Sequence, residues 1–229
     1  MSKGLFITGT DTGCGKTGIT LGLMQALQQR GAQVLGMKPV ASGAESTSEG
    51  LRNEDALSIQ LQGSCELPYD WINPFAYAPP IAPHLAAEST GRPIDLSLIA
   101  EAYERLAAMA DWVIVEGVGG WSVPLDAERA TLADLALKLS LPVVMVVGLR
   151  LGCINHALLT QAAIRQSGAE LLGWVANQVE PNMASFEGNL RTLRERLSVP
   201  CLGVVPWLND PSPAMVCGHL EVGTLLVPG

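Results

Sequence analysis

Along the chain, short apolar runs alternate with segments whose apolar residues recur at helical spacing. "GLFITG", "AQVLGMKPV", "DWVIVEG", "LPVVMVVGL", "ELLGWVANQV" and "CLGVVPWL" read as strands. They are rich in β-branched residues and apolar on both faces, as a parallel sheet covered by helices on each side requires. Between them, residues 17–30, 53–62, 95–110, 132–139, 155–166 and 185–197 read as helices. The alternation predicts βαβ units in one α/β domain over residues 1–229, with a mostly parallel sheet of about six or seven strands and helices on both faces. Two stretches resist the pattern. Residues 66–94 are dense in proline and predict an irregular loop, because each proline lacks a donor and biases its predecessor away from helix. The final stretch, from residue 210 on, has no clear period and no predicted place.

The first strand runs into "GTDTGCGKTG", residues 9–18. A strand, glycines at 9, 13 and 15, and Lys16-Thr17 opening a helix form the setting of a phosphate-binding loop, and so of a P-loop NTPase-like fold. Glycines let backbone N–H groups turn inward, and a helix N-terminus favours an anion. Lys16 is expected against the β- and γ-phosphates of a nucleotide, and Thr17 on a Mg²⁺ ion. The usual spelling places the first glycine one residue later, where this chain has Thr10. Cys14, just before the helix start, is expected to be exposed and reactive, since a helix N-terminus lowers a thiol's pKa.

Other chemistry collects at predicted strand ends, where open α/β sheets bind ligands. In "VIVEG", Glu116 follows three apolar β-branched residues; an acid there is costly unless it faces solvent or a cation, so it is a candidate Mg²⁺ partner. The following "GVGG" permits close backbone approach to a ligand. In "GMKPVASG", Lys38 is one of few lysines, with Ser42 four residues on, and the pair suits an anionic intermediate. Asn53, Glu54 and Asp55 read either as caps complementing a helix dipole or as functional acids. Asn155 is a plausible N-cap of a helix whose start could hold a carboxylate. His156 reads as a packed helix residue and His84 as a loop residue. Asn177 and Gln178 at one strand end, and Pro206-Trp207-Leu208 at the next, are either ordinary turn residues or the edge that reads a base.

Composition narrows the partners. The net charge is −8 and only 16% of residues are charged, which argues against a nucleic-acid partner. No apolar run reaches membrane length. The five cysteines show no C-x-x-C spacing, so neither a disulfide framework nor a zinc site is indicated, and "MSKGLFITG" lacks signal-peptide anatomy. The expectation is a cytoplasmic protein.

Taken in order, "GTDTGCGKT", "MKPVASG", "GLRNEDA", "VIVEGVGGW", "LGCINHALLT", "GWVANQ" and "VPWL" closely resemble the dethiobiotin synthetases, over roughly residues 3–210. The resemblance implies a Mg²⁺- and ATP-dependent ligase of biotin synthesis. It joins CO₂ to 7,8-diaminononanoate through a carbamate and a carbamic-phosphoric anhydride. It also implies roles for particular residues. Gly13, Cys14, Gly15, Lys16, Thr17 and Gly18 would bind phosphate, with Gly117, Val118 and Gly119 beside them. Thr17, Asp55 and Glu116 would be the metal set. Thr12, Lys38, Ser42 and the Gly119 backbone would face the carbamate, with Lys38 catalytic while Lys16 grips ATP. Asn177, Gln178, Pro206, Trp207 and Leu208 would hold adenine. Family members are homodimers, and Gly152, Cys153 and Asn155 would receive the substrate's distal carboxylate across the dimer interface.

The chain departs from the family at two points. Gly13-Cys14 stands where Glu-Val is common, and Asn177-Gln178 where Asn-Asp is frequent, which leaves nucleotide preference open. Two alternative classes come into question, and the first of them shares the deviant loop. Cobyrinic acid a,c-diamide synthases carry an added glutaminase domain for which this length leaves no room. Partitioning ATPases show a second lysine near the position of Asp11, together with basic surfaces.

Overall fold

The computed structural model describes residues 3 to 225. In chain order the elements are β1 (Lys3–Gly9), α1 (Lys16–Gln28), β2 (Val34–Met37), β3 (Val40–Ser42), β4 (Glu45–Thr47), β5 (Gly50–Arg52), α2 (Glu54–Gln62), α3 (Tyr69–Ile72), β6 (Phe75–Tyr77), α4 (Pro83–Thr90), α5 (Leu96–Ala107), β7 (Trp112–Gly120), α6 (Leu132–Lys138), β8 (Val143–Leu149), α7 (Cys153–Ser167), β9 (Leu171–Gln178), α8 (Phe186–Arg196), β10 (Cys201–Val205) and α9 (Pro213–Cys217), with a 3₁₀ turn at Val222–Leu225.

Six strands form one sheet in the order β10-β9-β8-β1-β7-β2, and every pairing in it is parallel. The apolar runs predicted this: Leu5, Phe6 and Ile7 of β1, Val113 to Val115 of β7 and Val143 to Val147 of β8 are all buried, as strands covered on both faces must be. β1 lies in the middle, and the chain leaves it toward β7 and β2 on one side and β8 to β10 on the other. That reversal is the topological switch point beside which doubly wound sheets open a crevice at their carboxyl ends.

The proline-rich stretch is more ordered than expected. It contains α3, β6 and α4, and β6 pairs parallel with β3 as a separate two-stranded sheet. Proline disfavours helix interiors but suits a first turn, and Pro83 stands at the start of α4, where its missing N–H has no intrahelical partner to lose. The unplaced C-terminal stretch also has a position. Ser212 caps α9 by accepting the Met215 N–H at 3.3 Å, and Val216 packs over Gly22 of α1. Residues 226–229 of that stretch lie outside the described residues. No helix among the described residues is long and apolar enough to cross a membrane.

Candidate active site

The phosphate loop is formed as its glycines suggested. β1 ends at Gly9, the Thr10 N–H donates to the Val146 carbonyl at 3.0 Å, and the loop reaches α1 through left-handed Gly13 and Gly15 (φ 73° and 84°). No side chain caps α1, so its first N–H groups are free to face an anion. Lys16 is buried and its Nζ donates to the Asp11 carbonyl at 3.2 Å, bent back over the loop. Asp11 is held by Arg150 (2.5 Å) and accepts the Thr12 N–H (2.7 Å).

Cys14 departs from expectation. Its side chain is fully buried, turned from the loop's mouth toward Gly9 and Gly148, where an added Cβ would come within 3.0 Å of it. An inward thiol is shielded from reagents, so only the backbone of Cys14 remains available to a phosphate.

Lys38, Asp55, Glu116 and Thr17 converge from four separate parts of the chain: the break between β2 and β3, α2, β7 and α1. Glu116, inside β7 and in register with Ile7 of β1, has no solvent exposure. Its Oε1 accepts from the Thr17 hydroxyl at 3.0 Å and from Lys38, which also reaches Asp55 at 3.2 Å. Burial alone would pull the Lys38 ammonium down, but the adjacent Glu116 and Asp55 charges outweigh it and hold its pKa above the usual lysine value. Burial likewise pushes Asp55 up, yet the Lys38 charge and hydrogen bonds from Thr17 and Lys38 leave its carboxyl below the ordinary range. The two readings of "NEDA" turn out to be compatible. Asn53 caps α2 by accepting the Ala56 N–H at 3.2 Å, a bond worth about 1 kcal/mol, and Asp55 in the first turn faces Lys38.

These groups suit a hard cation. Glu116 Oε2 is buried without a partner beside Thr17 and Asp55. Among the described residues no cluster of three or more His, Cys, Asp or Glu could hold a metal alone. A cation here would therefore complete its shell with phosphate oxygens and water, the habit of Mg²⁺.

Two hollows open around the loop. The larger, about 660 Å³, brings together Thr12, Gly13, Gly15, Lys16, Thr17, Lys38, Ser42, Asp55, Glu116, Val118 and Gly119. Ser42 Oγ is buried there with no partner, ready for an incoming polar group. The opposite wall is apolar, made by Pro80, Ile81, Ala82 and Pro83 of the proline-rich stretch together with Val123, none of which carries a sequence signal of its own. The smaller hollow, about 290 Å³, shares Gly13 and Gly15 and is lined by Gly18, Asn177, Gln178 and Pro206 to Leu208. Asn177 donates to the Cys14 carbonyl at 2.9 Å. Gln178 accepts the Trp207 N–H at 3.3 Å and donates to the Glu180 and Pro181 carbonyls at 2.9 and 3.3 Å.

Several expected residues line neither hollow. An added Cβ on Gly117 would meet Leu132 of α6 at 2.7 Å, so this glycine permits packing. Gly152 (φ 95°) turns the chain into α7, which starts at Cys153. Asn155 is therefore an exposed residue inside the first turn, and Gly152 takes the cap position expected of it. His156 is exposed, not packed, and His84 lies in the first turn of α4, not in a loop. The partnership of Arg150 with Asp11 gave no sequence signal beyond a charge at a strand end.

A protein-family model described as an AAA domain matches residues 3–214. The ATP-dependent dethiobiotin synthetase BioD of Pseudomonas aeruginosa (strain UCBPP-PA14) is 53% identical over 221 residues, 96% of each chain. The BioD 1 of Salmonella typhi is 47% identical over 226 residues, covering 98% of this chain and 99% of that protein. Among solved structures, the septum site-determining protein MinD with Mg-ADP from Pyrococcus horikoshii OT3 superposes with a TM-score of 0.55 at 17% identity, covering 98% of this chain and 89% of that one. A ParA family ATPase from Chlorobium tepidum TLS gives 0.57 at 11%, covering 99% and 93%. At such identities these structures speak to the fold alone.

Proposed function

The chain belongs to the ATP-dependent dethiobiotin synthetase family, and from that premise we propose how its two hollows divide the reaction. The protein is a ligase of biotin biosynthesis that uses ATP and Mg²⁺. One amine of 7,8-diaminononanoate takes up CO₂ as a carbamate, and the γ-phosphoryl group of ATP passes to a carbamate oxygen. The second amine then attacks the carbonyl carbon, expels phosphate and closes the cyclic urea. The observation that carries our division of labour is the convergence of Lys16, Lys38, Ser42, Thr17, Asp55 and Glu116 on one cavity at the carboxyl ends of the strands.

Lys16 and the uncapped start of α1 hold the phosphates, and the smaller hollow takes the base, with Asn177 and the Pro206–Leu208 segment against its edge. Lys38 and Ser42, with Thr12 and the Gly119 backbone, face the carbamate. A buried cation stabilises charge that spreads over the transferring group, where a dry site makes it strongest. Thr17, Asp55 and Glu116 would hold Mg²⁺, which when bound neutralises phosphate charge. The apolar wall of Pro80 to Pro83 lies alongside the substrate's hydrocarbon chain and keeps water from the anhydride.

We read residues 1–229 as one domain and place the enzyme in the cytoplasm as a homodimer. Leu151 (98% exposed), in the turn before α7, and Leu159 (62%), on α7 itself, leave apolar side chains in water near the start of this helix, as suits contact with a second copy. In that dimer Gly152, Cys153 and Asn155 would meet the substrate's distal carboxylate.

The test is a phosphate-release assay with diaminononanoate and bicarbonate, run with ATP and then CTP. Release should need both co-substrates and match dethiobiotin formed. Phosphate release indifferent to bicarbonate would refute the reading.

A further inference from the structure

Lys38 and Asp55 must meet in one register, yet they come from different parts of the chain. Lys38 lies in the break between β2 and β3, and Asp55 in the first turn of α2. A buried hydrogen-bond relay joins the two places. The Tyr69 hydroxyl accepts the Asn53 N–H at 2.8 Å and donates to Asn73 Oδ1 at 2.8 Å. Asn73 Nδ2 then donates to the Lys38 carbonyl at 2.6 Å, and the Lys38 N–H donates to the Ile72 carbonyl at 2.8 Å. At the other end Asn53 caps α2, and its Nδ2 reaches the Ser42 carbonyl at 3.5 Å. Tyr69, Asn73 and Asn53 are all buried, so water is poorly placed to replace a lost link. The Arg52 guanidinium lies over the Tyr69 ring, 4.3 Å from its centroid, and fixes the ring itself.

We propose that Tyr69 and Asn73 are positioning residues that hold Lys38 against Asp55, with the Tyr69 hydroxyl as the joint. A phenol donates one proton and accepts another. This hydroxyl uses both functions, one toward the cap of α2 and one toward the backbone of Lys38. The short helix α3 and the asparagine that ends it, inside a proline-rich stretch, thereby gain a role in the site. The relay does not touch the phosphate loop, so its loss should separate chemistry from nucleotide grip. The proposal rests on the roles given above to Lys38 and Asp55.

Tyr69→Phe keeps the ring under Arg52 and removes only the joint, leaving the Asn53 N–H and Asn73 Oδ1 unpaired in a dry site. Gln161→Ala is the comparison. Gln161 Oε1 accepts from the Ser198 N–H and hydroxyl, both at 2.9 Å, and the residue lines neither hollow. Three quantities are measured in both variants and the parent: dethiobiotin kcat and KM, Mn²⁺ affinity with ADP by electron paramagnetic resonance, and urea unfolding. Tyr69→Phe should lose about 10- to 100-fold in kcat, the scale of a small misplacement of a reacting group. It should also weaken Mn²⁺ binding several-fold, with KM for ATP little changed. Gln161→Ala should lose stability and keep both. If the two variants lose comparable stability and Tyr69→Phe keeps its Mn²⁺ affinity and kcat, the relay is packing only and the proposal fails. If the parent makes no dethiobiotin, the assigned reaction fails, and the Mn²⁺ comparison alone then decides the relay by the same rule.

Discussion

The two hollows beside the phosphate loop are built by opposite means. The larger gathers two buried lysines and two acids, one fully buried, and closes over them with an apolar wall. None of the residues lining the smaller is charged. Its polar groups are carboxamides that the protein's own backbone already holds in place. On the proposed division of the reaction, the difference follows from the two tasks. Moving a phosphoryl group between anions needs charge where the dielectric is low. Holding a flat heterocycle needs fixed neutral donors and acceptors on an apolar floor.

The largest effect should come from the charged side. Lys38→Ala is expected to lose about 10² to 10³ in turnover, the scale of a transition-state donor. ATP affinity, measured by calorimetry, should stay within a few-fold, because the proposed division leaves the phosphates to Lys16 and the loop. An equal loss of nucleotide binding would erase the distinction between the hollows.

At their shared rim, Gly15→Ala should weaken nucleotide binding about tenfold, since left-handed backbone costs a residue with a Cβ roughly 1–2 kcal/mol. The new methyl would also fall 2.0 Å from Asn177 Nδ2. Displacement of a fluorescent ADP analogue measures this, and a changed rank order of ATP and CTP would show that Asn177 had moved.

On the neutral side, Gln178→Glu exchanges two donors for an acceptor-only group opposite the Glu180 and Pro181 carbonyls. It should cost at most about 1 kcal/mol of stability, because the bonds it breaks are exposed to water, and loosen the Trp207 segment. Urea unfolding measures the first, and nucleotide KM, rising with kcat nearly unchanged, measures the second.

The smallest effect concerns pH. The Asp55 carboxyl is lowered from 3.8 on folding, because the Lys38 charge and hydrogen bonds outweigh its burial. The stability it adds is present above the unfolded value and is lost as pH falls through the lower folded one. Asp55→Asn should therefore show a flatter melting temperature than the parent below about pH 4.

Much of this was legible from residues 9–18 and the strand ends. Six apolar runs predicted the six strands of the main sheet, and the phosphate loop and Lys38 lay where strand ends suggested, whereas Glu116, expected at a strand end, stands in the middle of β7, which continues to Gly120. What escaped notice had no periodicity to announce it. The length of the loop over residues 66–94 points to a functional or covering role, but Pro80 to Pro83 could not be singled out in it, because proline reports local backbone bias and says nothing of what its ring faces. Tyr69 and Asn73 stand one helical turn apart in an unpromising stretch, and a relay through a hydroxyl has no spacing rule.

Cys14 marks the boundary most clearly. The sequence alone determined that a phosphate loop stands at residues 9–18, because glycine placement and a strand-to-helix switch are local properties of the chain. It also determined the parallel sheet, because apolar periodicity records which faces must leave water. Whether the thiol of Cys14 faces solvent, whether Asp55 only completes a helix start or meets a lysine, and which residue fixes Lys38 were settled by packing. Each depends on segments far apart in sequence, such as Gly148 against Cys14 and Tyr69 between Asn53 and Asn73. Contacts of that kind come into being only when the sheet brings those segments together.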